Sequence, residues 1–107
     1  MRSNFHLSLP TPVIEAYRNK ELVIVDVRTS LEFIHGHIEN ACNLPFDELP
    51  LFIDEIKAWD KPIITCSAEG FRAERAADFL RSHLIDALDG GKWRDLNELI
   101  RSTEPNS

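Results

Sequence analysis

The chain has 107 residues, enough for one domain and too few for two of ordinary size, so residues 1–107 are read as a single domain with the tail 102–107 frayed. At 43% hydrophobic and 28% charged residues it has the composition of a soluble globular protein, and a chain this long buries roughly two-thirds of its unfolded surface without a disulfide or metal staple. A net charge of −6 argues against binding a nucleic-acid backbone as the main task, and no membrane-length apolar run argues against a spanning segment.

Helix and strand signals alternate along the chain. "TPVIEAYRN" predicts a short helix, with Thr11 as N-cap and Pro12 at the first helical position. "ELVIVDVR" holds four apolar residues without a break, Leu22 to Val25, the pattern of a strand covered on both faces. Ser30 is expected to cap a short helix through "LEFI", with Gly36 ending it. Ala41 to Leu44 reads as a brief strand. "FDELPLFIDEIKAW" reads as a helix whose first turn is split off by Pro50.

"KPIIT" then predicts a strand and "FRAERAADFLRSHL" a helix, with Ala73, Ala76, Ala77, Leu80 and Leu84 on one face. The alanines would let that helix lie close to a sheet. "IDAL" is a last short strand, and "GKWRDLNELI" a closing helix. The alternation implies an α/β fold with a parallel sheet of about five short strands and helices on both faces.

Ligands of such sheets gather at the carboxyl ends of the strands. Asp26 and Arg28 fall at one such end and Cys66 at another. A cysteine just before a helix N-terminus is a candidate nucleophile, because unpaired N–H groups and the helix dipole favour its thiolate. The loop Ser67, Ala68, Glu69, Gly70 and Phe71 could turn its amides toward an anion, and Arg72 would add a fork of donors. The plainer alternative is a small buried hydrophobe beside a solvated arginine.

Three stretches together resemble the rhodanese-homology family. "VIVDVRTSLEFIHGHIENACNLPFDEL" is similar to its DVR strand end, EF turn, GHI segment and asparagine-bearing second strand. "TCSAEGFRAERAADFL" resembles its active-site loop and helix, and "LDGGKWRDL" its closing double glycine and tryptophan. The resemblance implies a single-domain sulfurtransferase without cofactor or metal. Cys66 would take sulfane sulfur from thiosulfate or a persulfide and pass it to a thiophilic acceptor. It implies a small anionic or thiol donor, and a protein thiol as one candidate acceptor. Asp26 and Arg28 would support the active-site edge.

Single-domain sulfurtransferases carry the arginine five positions after the cysteine, whereas Arg72 is six after Cys66. That C-x5-R spacing is similar to rhodanese-fold phosphatases and arsenate reductases, which stand as one alternative function. Glu69, a carboxylate in the loop, disfavours a phosphate or arsenate dianion and should also weaken thiosulfate binding. A non-catalytic rhodanese-like interaction module is the second alternative.

The other notable residues have structural explanations. His35 and His37 flank a turn glycine and lack the CxxC or HExxH spacing of a zinc site. Cys42 is expected to pack within its strand, with a resolving-thiol role as the alternative, and Trp59 and Trp93 to cap the core. With two cysteines and no apolar leader in "MRSNFHLSLPTP", free thiols in a reduced, cytoplasmic setting are expected.

Overall fold

A computed structural model describes residues 11–103. Within them, a four-stranded parallel sheet runs in the order β2-β1-β3-β4, formed by β1 (Val23–Asp26), β2 (Cys42–Asn43), β3 (Ile63–Ser67) and β4 (Ala87–Lys92). That is one strand fewer among the described residues than the sequence led us to expect. Register puts Val25 opposite Cys42 and Thr65, and Asp26 opposite Asn43 and Cys66. β3 is buried at all five positions, which explains its unbroken β-branched run.

Five helices complete the α/β fold: α1 (Thr11–Arg18), α2 (Ser30–Ile34), α3 (Ile53–Trp59), α4 (Phe71–Ser82) and α5 (Trp93–Ser102). A 3₁₀ segment, Phe46–Phe52, precedes α3 and contains Pro50. The sheet separates two apolar clusters. One joins Val25, Val27 and Ile63 to Leu49 of the 3₁₀ segment, Ile56 of α3 and Ala76, Ala77 and Leu80 of α4. The other joins Ile24, Ile64 and Cys66 to Ile14 of α1 and Leu96 and Ile100 of α5.

Several boundaries differ from expectation. Thr29, not Ser30, caps α2: its Oγ1 accepts from Glu32 N at 3.2 Å while Glu32 Oε1 accepts from Thr29 N at 3.1 Å. The pair forms a capping box, in which a carboxylate at the third helical position answers the cap. Thr11 lies inside α1 rather than before it. Leu84 is not on the buried face of α4: the helix stops at Ser82, and Leu84 has φ +65° and is 92% exposed. β4 starts later than "IDAL" and runs through Gly90 and Gly91. α5 includes Ser102, so the frayed tail does not begin there, and residues 104–107 lie outside the described set.

The double glycine has a steric basis. A Cβ on Gly90 would stand 2.6 Å from both the Thr65 carbonyl oxygen and Ile64 Cγ2, and Gly91 has φ +76°. The absence of a side chain lets β4 lie against β3 just below the β3–α4 loop.

Candidate functional site

The carboxyl edge is built first around a buried ion pair. Asp26, fully buried, ends β1; Arg28 Nε and Nη2 both reach its carboxylate, at 3.0 and 2.8 Å, and Arg28 N adds a bond at 3.0 Å. Arg28 Nη2 also donates to the Gly36 carbonyl at 2.7 Å, and its guanidinium lies 4.3 Å over the Trp93 ring. Asn43 Nδ2 donates to the carbonyls of Asp26 and Arg28. With its charges paired and its donors used, this network holds β1, β2, the Gly36 turn and the start of α5 in one arrangement.

The loop after β3 is organised around Ser67. Its Oγ accepts from Gly70 N at 3.0 Å and from Ala73 N at 3.1 Å. Gly70 caps α4 with φ +94°, a conformation glycine adopts without a steric penalty. Thr65 Oγ1, two residues back on the same face, donates to the Ala73 carbonyl at 2.6 Å. The amides at the head of α4 therefore converge on the Ser67 oxygen, which is 2% exposed.

Cys66 does not face this cradle. Side chains alternate along a strand, so Thr65 and Ser67 point toward α4 while Ile64 and Cys66 point to the opposite side. There Cys66, 0% exposed, belongs to the apolar cluster under α1 and α5. Burial pushes its thiol well above the ordinary cysteine pKa; the Asp26 carboxylate raises it further, and Arg28 opposes them. A helix N-terminus on the far side of the sheet cannot stabilise the thiolate. Sequence order suggested convergence on Cys66; strand pleating sends the amides to its neighbour.

The other expected loop residues lie at the surface. Ala68, Glu69 and Arg72 are exposed, Gly70 is half-buried, and Phe71 is 71% exposed. Glu69 lines an open cleft of about 690 Å³ instead of entering the cradle. Arg72 has no ion pair among the described residues; its charge is felt at Glu32. The cleft is bounded by Ala68 and Glu69 of the loop, Leu31 and Glu32 of α2, and Lys92 and Trp93. Leu31, Glu32 and Lys92 carry no site signal in the sequence, while Trp93, expected to cap the core with substrate stacking as the alternative, lines this cleft directly after the double glycine.

His35 and His37 take structural places, each ring Nδ1 near a carbonyl of α2 (Leu31 and Phe33), and His37 stacks on Phe33 at 3.8 Å. Cys42 is half-buried, and burial followed by the Glu55 charge raises its pKa. Among the described residues no group of three or more His, Cys, Asp or Glu is placed to hold a metal.

A model of the rhodanese-like domain matches residues 9–95. The chain belongs to the rhodanese-like family. This rhodanese-like chain is 32% identical over 102 residues to the thiosulfate sulfurtransferase GlpE of Shewanella oneidensis, covering 91% of this chain and 99% of that protein. It is 34% identical over 101 residues to the GlpE of Stutzerimonas stutzeri, covering 92% and 87%. Its fold matches the crystal structure of a rhodanese-related protein from Thermoplasma volcanium with a TM-score of 0.65 and 26% identity, over 97% of this chain and 96% of that one.

Membership gives the loop a ruler. The family's single-domain sulfurtransferases place the arginine five positions after the nucleophile, and five positions before Arg72 is Ser67. Spacing and amide geometry select the same residue. The signal was present in the sequence, because counting back from the alanine face of α4 fixes the loop from its better-defined end.

Proposed function

We propose that this rhodanese-like domain recognises a ligand at the cleft beside the Ser67 loop without forming a persulfide. The observation that carries the reading is the burial of Cys66 on the sheet face away from the loop, with its thiol held protonated. A nucleophilic sulfur must be ionised, and this one is held protonated in an apolar cluster on the sheet face away from the amides at the head of α4. A hydroxyl takes the nucleophile's place, and no base is hydrogen-bonded to it among the described residues. What remains is an interaction module on a rhodanese-like scaffold. Free thiols and the absence, among the described residues, of a helix able to cross a membrane suit a reduced, cytoplasmic setting.

A second reading is favoured by the two GlpE relatives at 32% and 34% identity: sulfur transfer through a Cys66 persulfide, from thiosulfate or a persulfide to a thiophilic acceptor. Phosphatase or arsenate reductase chemistry loses its argument, since measured from Ser67 the loop has the shorter spacing.

The test is intact mass after incubation with thiosulfate, and separately with a low-molecular-weight persulfide. The proposal expects no added sulfur that cyanide removes. A single cyanide-labile sulfur per chain, lost in Cys66→Ala, would instead establish the second reading.

A further inference from the structure

We infer that Ser67 is the residue that sets the chemistry of this site: oxygen in place of sulfur there is what keeps the domain from loading sulfane sulfur. The inference rests on the non-loading reading above and adds its cause. The alternative cause is a site degraded in many places, which would need many changes to recover.

The surroundings of Ser67 are those an anionic sulfur requires. Two main-chain N–H groups already point at its oxygen, at 3.0 and 3.1 Å, and the twelve-residue α4 directs its positive dipole end at the same atom. The Asp26–Arg28–Trp93 network that stiffens the edge is complete. Gly70 has the φ that aims its amide inward, and Arg72 stands at the second position of α4. The central atom is unsuited. A serine hydroxyl is a weak nucleophile without a neighbouring base, and among the described residues none is bonded to Ser67. Burial at 2% exposure opposes ionisation here as it does at Cys66, but a thiol in this place would also have two amides and the helix dipole acting on its charge, and these would bring it below its ordinary pKa of about 8.5.

Ser67→Cys should therefore load sulfur. Its thiolate attacks the outer sulfur of thiosulfate, the sulfur–sulfur bond breaks, and sulfite leaves with the bonding pair. Cyanide then attacks the persulfide's terminal sulfur, thiocyanate departs, and the thiolate is regenerated.

The experiment compares the wild-type chain, Ser67→Cys, and Ser67→Cys combined with Cys66→Ala, each incubated with thiosulfate and weighed before and after cyanide. The expected result is no labile sulfur on wild type and one per chain on both variants. Alkylation of Ser67→Cys by iodoacetamide against pH should have a midpoint below about 8.5. A folded Ser67→Cys that stays unloaded, or whose thiol ionises at or above that value, overturns the inference while leaving the non-loading reading intact. A variant that fails to fold also counts against it, since the cradle would then not admit sulfur. Loading of the wild-type chain would overturn the reading on which the inference rests.

Discussion

Arg28 and Asp26 set the site's rigidity at the scale of single residues, because they are the buried charges on which the edge is assembled. Both are almost fully buried, and a charge taken out of water is tolerated only where its partner and hydrogen bonds are present. Arg28→Leu would leave the Asp26 carboxylate in the core without its fork and should destabilise the domain by about 3–5 kcal/mol. Arg28→Lys should recover only part of that, since an ammonium cannot fork onto the carboxylate or stack on Trp93 in the same way. The double variant Asp26→Leu/Arg28→Leu should lose less than the sum of the single losses, because neither charge is then stranded. Urea denaturation of wild type, Arg28→Leu, Arg28→Lys, Asp26→Leu and the double variant measures all of this, and additive losses would contradict it.

Among the elements, β4 and the β3–α4 loop determine where the cradle sits. Gly90→Ala would push a methyl group onto the Thr65 carbonyl oxygen and Ile64, both at 2.6 Å, and backbone oxygen cannot move aside. We expect a loss of about 1–3 kcal/mol, of the size of other overpacking changes. Gly91→Ala meets nothing within 4 Å and should cost about 1 kcal/mol, from its positive φ alone. Equal midpoints for the two variants in urea would contradict this account of the double glycine.

α2 depends on its capping box, and the Thr29 backbone N–H is the main cause of the depressed pKa of Glu32. A carboxylate whose pKa is lowered by folding contributes stability above its unfolded value and loses it as pH falls through the folded one. The difference in stability between wild type and Glu32→Gln should therefore shrink as pH falls below about 4.3, the ordinary glutamate value. Urea midpoints at neutral and acid pH check this, and a constant difference would refute it.

At the scale of the molecule, the sequence was most legible where a pattern had one physical solution. The unbroken apolar run of β1, the alanine face of α4 and the strand–helix alternation each required a doubly covered parallel sheet, and that sheet is present. The capping residue of α2 was misplaced by one, and the exposed Leu84 was drawn into a helix that ends two residues earlier. At the site, the order strand–cysteine–loop–arginine fixed the neighbourhood but not the face. Counting back from Arg72 points to Ser67, and the pleat of β3 decides it geometrically once Ile63 is known to meet α4 and Ile64 to meet α5.

That two-sided construction makes Cys66 a reporter of global unfolding. It is sealed between the sheet and two helices, so a thiol reagent should reach it only when a whole layer comes away, whereas half-buried Cys42 should react through smaller openings. Labelling of Cys66 should follow the global unfolding curve as urea is raised, and labelling of Cys42 should begin before it. The same burial sets the alkaline limit. The pKa of Cys66 is higher folded than unfolded, so its contribution is complete below the ordinary thiol value of about 8.5 and declines as pH rises beyond it. Cys66→Ala should therefore lose less stability than wild type between neutral pH and mildly alkaline pH. Peptide mapping of the labelled chain and urea midpoints across that range measure the two effects. Rapid labelling of Cys66 in the absence of urea would show that this sulfur is not enclosed, and would reopen the case for Cys66 as the nucleophile.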